Sequence, residues 1–209
     1  DDKWAHIART ITSDVDTGLG KRIKINDTAL ELDDIKRQAR AWKREFGLNL
    51  LIVDYIQNVS VSNRRGISGD KVQEVMAVSR ELKQLAKRLK IPVIGLAQTK
   101  RDVDTRAGDK RPTTADVMWA SQIEQDADVM IAVYRHAKYF PQFGTYNGVK
   151  NIAEIITQKN RHGPVDTCYA VFLPDRMDFV DADDSGVSQY FAELATPPEN
   201  QRKSAAKDW

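Results

Sequence analysis

Two long segments place apolar residues at helical spacing. Between Glu31 and Phe46 these are Leu32, Ile35, Ala39, Trp42 and Phe46, and Gly47 stands where a helix would stop. Between Asp70 and Lys90 they are Val72, Val75, Met76, Ser79, Leu82, Leu85, Ala86 and Leu89. A third helix is expected over residues 1–12, with Trp4, Ile7, Ala8 and Ile11 on one face. Continuous apolar runs mark buried strands at Leu48–Asp54 and Pro92–Ala97, ending at Asp54 and Gln98. Later strands are expected at Ala127–Tyr134, Ile152–Gln158 and Cys168–Leu173, and a short one at Arg22–Ile25. A short helix starting near Thr114 or Ala115 would carry Trp119. Residues 13–20, 58–69, 99–114 and 136–150 have loop composition. After Asp181 the apolar pattern thins, so residues 1–181 are expected to form one domain. Residues 182–209 would then be a partly mobile extension.

Strand–helix–strand alternation followed by closely spaced strands predicts an α/β fold. Its central sheet would be mainly parallel and flanked by helices, with antiparallel hairpin strands on the C-terminal side. Such sheets bind ligands at the carboxyl ends of their strands. Here those ends carry Asp54, Gln98 and the loops that follow them.

Composition narrows the class. Of 209 residues, 41% are hydrophobic and 30% charged, which fits a globular chain and excludes a disordered or fibrous one. Cys168 is the only cysteine, so no intramolecular disulfide or all-cysteine zinc site can form, and a reducing compartment is favoured. Within its strand it is expected to be a small buried hydrophobe. His6, His136 and His162 lie too far apart for metal-ligand spacing. No apolar run approaches the ~18–20 residues of a membrane span, and no signal peptide is visible. The net charge of +2 hides segregation. From Arg64 to Arg111 there are 13 Lys and Arg against 6 acids, whereas from Asp166 to Glu199 only Arg176 opposes eight acids. A basic stretch of that kind suits nucleic acid. The acids Asp178, Asp181, Asp183 and Asp184 lack EF-hand spacing and read as a solvated edge.

Three places bear chemistry. Leu50 to Asp54 is an apolar strand ending in an acid, the Walker B pattern, in which a carboxylate holds the Mg²⁺ that bridges nucleotide phosphates. Many buried strands also end in Asp merely to accept turn hydrogen bonds. Gln98 ends the neighbouring strand, where an amide either senses a γ-phosphate and orients a water or simply faces solvent. Lys159 and Arg161, two apart after a strand, can project the same way. They read as an arginine-finger pair offered to a neighbouring subunit, or as an exposed basic hairpin turn.

Four blocks in order carry a resemblance. They are Ile52-Val53-Asp54-Tyr55-Ile56-Gln57, the run from Val93 to Arg101 around Gln98, Gln122-Ile123-Glu124-Gln125-Asp126-Ala127-Asp128, and Lys159-Asn160-Arg161-His162-Gly163-Pro164. With the helix Ser79–Lys87, residues 1–180 resemble the C-terminal, RecA-like motor domain of the DnaB family of replicative helicases. The resemblance implies a RecA-like P-loop NTPase fold in a ring, usually hexameric, that uses ATP and Mg²⁺ to move 5′→3′ on single-stranded DNA. It also implies identical subunits, a helicase loader and a primase as partners. No membrane would be involved, and the compartment would be the cytoplasm of a bacterial cell, whether the gene is cellular or of phage or prophage origin. Carried over by residue, Asp54 would be the Mg²⁺-site acid and Gln98 the γ-phosphate sensor. Lys159 and Arg161 would be the pair reaching the next subunit's ATP. Channel-facing DNA contacts would come from Arg64 and Arg65 in the 58–69 loop, from Arg101, and from the segment of Met118, Trp119 and Ser121.

The chain departs from the family at two points. No Gly-x4-Gly-Lys-Ser/Thr occurs, and Thr17-Gly18-Leu19-Gly20-Lys21-Arg22 fails that pattern because position 15 is Val and Arg follows Lys21. The chain opens at Asp1, so the phosphate-cradling loop and the catalytic glutamate are expected upstream in a longer polypeptide. This fragment alone is then expected to lack ATPase activity and, with a strand removed, to self-associate weakly. Met118-Trp119-Ala120-Ser121 also stands where the family commonly has an Arg-Glu-Ser-Gly-like stretch. Trp119 would stack on a base or pack in the core or at a subunit interface, with packing favoured. Two rival readings are a RecA-type recombinase or regulatory ATPase, and an inactive fragment that docks on a helicase ring.

Overall fold

A computed structural model of the chain describes residues 22–28, 31–62, 70–141, 143 and 147–195. The helix expected over residues 1–12, the loop over 13–20 and the tail over 196–209 lie outside the described residues. So do Arg64 and Arg65.

The first helix, α1 (Leu32–Phe46), forms where the apolar spacing places it. Asp33 and Asp34 sit in its first turn and Lys43 and Arg44 in its last, matching the helix dipole. Gly47 ends it in the left-handed conformation (φ +72°), which costs a residue without Cβ nothing. Strand β1 (Leu51–Val53) follows, then a 3-10 turn at Ile56–Asn58. Helix α2 (Lys71–Leu89) begins at Asp70, whose carboxylate accepts from the N–H groups of Val72 and Gln73 at 3.0 and 3.2 Å. Its Val75, Val78, Leu82 and Leu85 are buried, each worth about 1.5–3 kcal/mol over exposure. Val72, expected inside, is exposed, while Glu74 is buried beside Lys71 at 3.1 Å. The rest of the expected stripe holds, with Val75, Ser79, Leu82 and Leu85 buried and Met76, Ala86 and Leu89 half-buried.

Strand β2 (Val93–Gly95) pairs in parallel with β1 and sets Leu51 opposite Val93 and Val53 opposite Gly95. These residues, α1, α2 and α4 (Ala120–Asp126) enclose the main core. Both strands were expected to be buried on two faces. Instead Leu51 and Val53 point into the core, while Ile52 and Ile94 stand 56% and 50% exposed. No described element covers that side. The short strand expected at Arg22–Ile25 is also absent, because Ile23 and Ile25 pair with no described strand and stand exposed.

The segment after β2 contains helix α3 (Asp102–Thr105) and a 3-10 turn at Thr114–Asp116. The second sheet is antiparallel, in the order β3 (Val129–Tyr134), β4 (Ile152–Asn160), β5 (Thr167–Leu173) and β6 (Asp178–Asp181). Two short helices, α5 (His136–Tyr139) and α6 (Asn147–Lys150), join β3 to β4. The α/β expectation holds, and among the described residues the parallel part is two strands that form a sheet of their own. Cys168 is exposed, contrary to expectation, since the alternation of β5 turns it to the open face of the sheet. Beyond Asp181 the structure differs again: α7 (Asp184–Leu194) is a regular helix capped by Asp183. Its Tyr190 is 0% exposed in a second core with Val149 and Ile152.

Candidate functional site

The two parallel strands deliver Asp54 and Gln98 to the same edge of the molecule. Asp54 directly follows β1 and is exposed. No described residue engages its carboxylate in a hydrogen bond or ion pair. The strand tips are tied by Leu96 N–H to Val53 O and Ile56 N–H to Leu96 O, both 2.9 Å. Gly95 is needed at this crossing, because a Cβ there would lie 2.8 Å from Ile56 Cγ2.

Gln98 has an exposed side chain and a fixed backbone. The buried amide of Gln57 donates to Gln98 O and accepts from Gln98 N–H, both at 3.2 Å. From the other side Met118 N–H donates to the same carbonyl at 3.1 Å, and Thr99 bridges Val117. The backbone is therefore held on both flanks while the side chain stays free to meet a ligand. Gln57 lies in the same block as Asp54, and its place three residues beyond a strand-ending acid was the available signal for it.

Trp119 was expected inside a helix. It instead sits at φ +58° just before α4, where the chain reverses out of the 3-10 turn. Its side chain is half-buried against the main core. Met118 is half-buried too, and Ser121 lies within α4. Arg101 is exposed at the start of α3. The Thr99–Val117 bridge lays the segment leading to Met118 and Trp119 beside the one that follows Gln98.

Lys159 and Arg161 lean the same way, onto the end of α4. Lys159 Nζ donates to Glu124 O, and Arg161 Nη2 donates to Gln125 O at 2.6 Å. Carbonyls at a helix C-terminus carry partial negative charge, so both cations are well placed. Arg161 N–H donates to Asp128 O at 2.8 Å, and its Nε lies 3.5 Å from Asp128 Oδ1. Lys83 of α2 bonds the same carboxylate. The Lys83 hydrogen bond, followed by the charges of Lys83, Arg161 and His162, holds Asp128 below the usual carboxylate range. The Gln122–Asp128 and Lys159–Pro164 blocks, far apart in sequence, thus form one unit.

A groove of about 980 Å³ runs along the bare face of β1 between Trp42, Ile52, Tyr55 and Ile25, and reaches Asp54. Among the described residues no group of three or more His, Cys, Asp or Glu is arranged to hold a metal ion. A lone, unengaged carboxylate fits Mg²⁺ that arrives with phosphates, which takes one or two carboxylates and completes its shell with phosphate oxygens and water.

Glu154 has no counterpart in the sequence-based expectations. It is 3% exposed in β4 and accepts from Arg111 Nε at 2.7 Å and Nη2 at 2.6 Å. Tyr190 Oη donates to it as well. Hydrogen bonding to Glu154 raises the Arg111 pKa further, and burial drives that of Tyr190 far up. Burial likewise pushes the Tyr134 hydroxyl up to about 12. An acid inside the apolar run Ile152–Ile156 is costly without a partner, and that was its signal. No described helix is long and apolar enough to cross a membrane.

The family model for the DnaB-like helicase C terminal domain matches residues 1–181. The chain is 37% identical over 192 residues to replicative DNA helicase DnaC of Bacillus subtilis, covering 90% of this chain and 40% of that protein. It is 38% identical over 177 residues to replicative DNA helicase DnaB of Geobacillus stearothermophilus, covering 84% and 36%. The chain therefore spans about two fifths or less of the length of the curated relatives it matches. Among solved structures it is similar to one described as an ATPase domain, with TM-score 0.74 and 30% identity over 88% of this chain and 61% of that one. A DnaB-like replicative helicase, whose structure was described together with its interactions with primase, aligns with TM-score 0.67 and 30% identity. That alignment covers 76% of this chain and 36% of that one.

Proposed function

The chain belongs to the DnaB-like helicase C-terminal domain family, and from that membership we propose that it is the motor part of an ATP-dependent replicative DNA helicase. The intact protein would form a ring of identical subunits, hexameric in this reading, that unwinds duplex DNA by moving 5′→3′ on single-stranded DNA. A loader and a primase would be its partners, in the cytoplasm of a bacterial cell. A cellular and a phage-borne gene are equally compatible with this reading.

The observation that carries the proposal is the pair of strand tips. Adjacent parallel strands present an unengaged carboxylate, Asp54, and an exposed amide, Gln98, whose backbone is clamped from both sides. Asp54 would hold the Mg²⁺ that comes with ATP, and the bound ion neutralises charge developing on the phosphates. Gln98 would donate to the terminal phosphate and orient the attacking water. Arg161 and Lys159 would leave the carbonyls of α4 for the nucleotide of the adjoining subunit. Lys159 now bonds the neutral carbonyl of Glu124, for which a phosphate would compete well, whereas Arg161 would give up both the carbonyl of Gln125 and the Asp128 carboxylate 3.5 Å away. Arg101 and the Met118–Ser121 segment, whose Met118 N–H bonds the Gln98 carbonyl, would lie towards DNA, and Arg64 and Arg65 would add to the same contact. No Gly-x4-Gly-Lys-Ser/Thr stretch occurs in this chain, so the 209-residue polypeptide by itself would not hydrolyse ATP.

The test uses the full-length protein that carries this chain. With ATP and Mg²⁺ it should separate a forked duplex that offers a 5′ single-stranded tail, and should fail when only a 3′ tail is offered. Unwinding that needs only the 3′ tail, or none on any substrate despite a folded ring, would refute the proposal.

A further inference from the structure

Gln98 and the DNA-side segment are joined to the C-terminal helix by an unbroken series of hydrogen bonds. Tyr190 of α7 donates to Glu154, and Glu154 receives the Arg111 fork at 2.6 and 2.7 Å. The carbonyl of Arg111 accepts from Arg106 Nη2 at 2.8 Å. Arg106 Nη1 reaches both oxygens of Asp116, at 3.1 and 3.3 Å. The carbonyl of Asp116 accepts from Lys100 N–H at 2.7 Å, two residues after Gln98. Met118 N–H, two residues beyond Asp116, donates to Gln98 O. A second tie runs in parallel. The β4 register slips opposite Met130 and Ile131, which leaves Gln158 unpaired in the ladder, and its amide turns to donate to Pro112 O.

We propose that Glu154 is a positioning residue, which ties the Lys100–Met118 segment to the C-terminal helix and so sets the placement of Gln98. The inference rests on the helicase reading above. Two features separate this tie from ordinary packing. Glu154 is a carboxyl only 3% exposed, yet the side chains that bond it come from the Lys100–Met118 segment on one side and from α7 on the other. A bidentate Arg–carboxylate pair also has one good geometry, so it transmits displacement where an apolar contact would slide. Movement of α7 would be felt at Arg111, then at Asp116, then at the Gln98 carbonyl.

The experiment compares Tyr190→Phe, Glu154→Gln and the double variant in the full-length protein. Both changes keep volume, and Phe keeps the ring contacts of Tyr190. The readouts are kcat and KM for ATP with and without single-stranded DNA, taken well below the melting temperature, and the rate of tryptic cleavage after Arg106 and Lys110. The expected result is a fall in the DNA-stimulated to DNA-free kcat ratio of about fivefold or more in each single variant, with KM for ATP unchanged. The double variant should be no worse than the worse single, and cleavage should quicken in all three. A wild-type ratio in Tyr190→Phe, or additive losses in the double variant, would overturn the proposal. Should the wild type lack DNA-stimulated hydrolysis, the helicase reading fails. The cleavage rates then decide the tie alone, with unchanged cleavage in Tyr190→Phe overturning it.

Discussion

The two sheets differ in what they bury. The parallel pair β1–β2 is apolar on both sides and, among the described residues, covered on one, so Ile52, Ile94 and Leu96 face outward, with Ile52 lining a groove that reaches Asp54. The antiparallel sheet likewise leaves Val129, Ile131 and Val133 outward on an open face, but on the side packed by α7 its central strand carries a buried carboxylate with an arginine and a tyrosine upon it. The first region presents its candidate site residues at exposed strand tips and buries Gln57 and Glu74 beside its apolar core. The other buries Glu154 beneath Arg111 and Tyr190 and through it holds distant segments in register. Functional side chains are therefore cheap to change in the first region and costly in the second.

The sharpest way to break that contrast is Arg111→Ala. It leaves Glu154 buried beside Tyr190 without its cation, and removing one partner of a buried pair costs about 3 kcal/mol. Urea unfolding should show the loss, and amide exchange should place it in β4 and α7 while α2 keeps its protection. Equal loss of protection in α2 would mean that the two regions unfold as one.

A smaller effect is expected in the parallel pair. Gly95→Ala would push a methyl against Ile56 Cγ2 at 2.8 Å, within reach of backbone that ties the strand tips. Overpacking of this kind costs about 2 kcal/mol, measured by the same unfolding curve, and should raise exchange at Ile56 and Leu96. A stability equal to the parent would show that Ile56 has room to give.

The smallest effect is a pH slope confined to the second region. Burial, and then the charge of Arg111, holds His136 below its usual pKa of 6.5, where it shares a 2.9 Å hydrogen bond with Tyr134 and stacks on Phe140. The unfolded chain therefore takes up this proton first as pH falls. Stability is full above 6.5 and declines as pH drops from there toward the lowered folded value. The urea midpoint should fall as pH is lowered from about 7.5 to about 5.5, and His136→Asn should flatten the slope.

Helix ends were legible because their signals are local: Gly47 permits a left-handed stop, and Asp70 caps α2 with its own carboxylate. Asp54 and Gln98 were legible for the same reason, since the end of an apolar run marks a strand tip. The exposure of one face of β1 and β2 was not, because covering that face depends on another element and leaves no mark in the strand. The place of Trp119 followed from a chain reversal at positive φ that composition does not announce. Helix α7 carries its own signals, the Asp183 cap and the spacing of Val187, Tyr190 and Leu194, diluted by the surrounding acids. Partners of Glu154 come from 43 residues upstream and 36 downstream, so the acid was visible in its strand while its role was not.

The most direct test of the central claim is ATP hydrolysis by the full-length ring with Asp54→Asn, measured with single-stranded DNA present. If Asp54 holds the nucleotide's Mg²⁺, kcat should fall by about a hundredfold or more while the ring stays assembled. Hydrolysis at the wild-type rate would contradict the account.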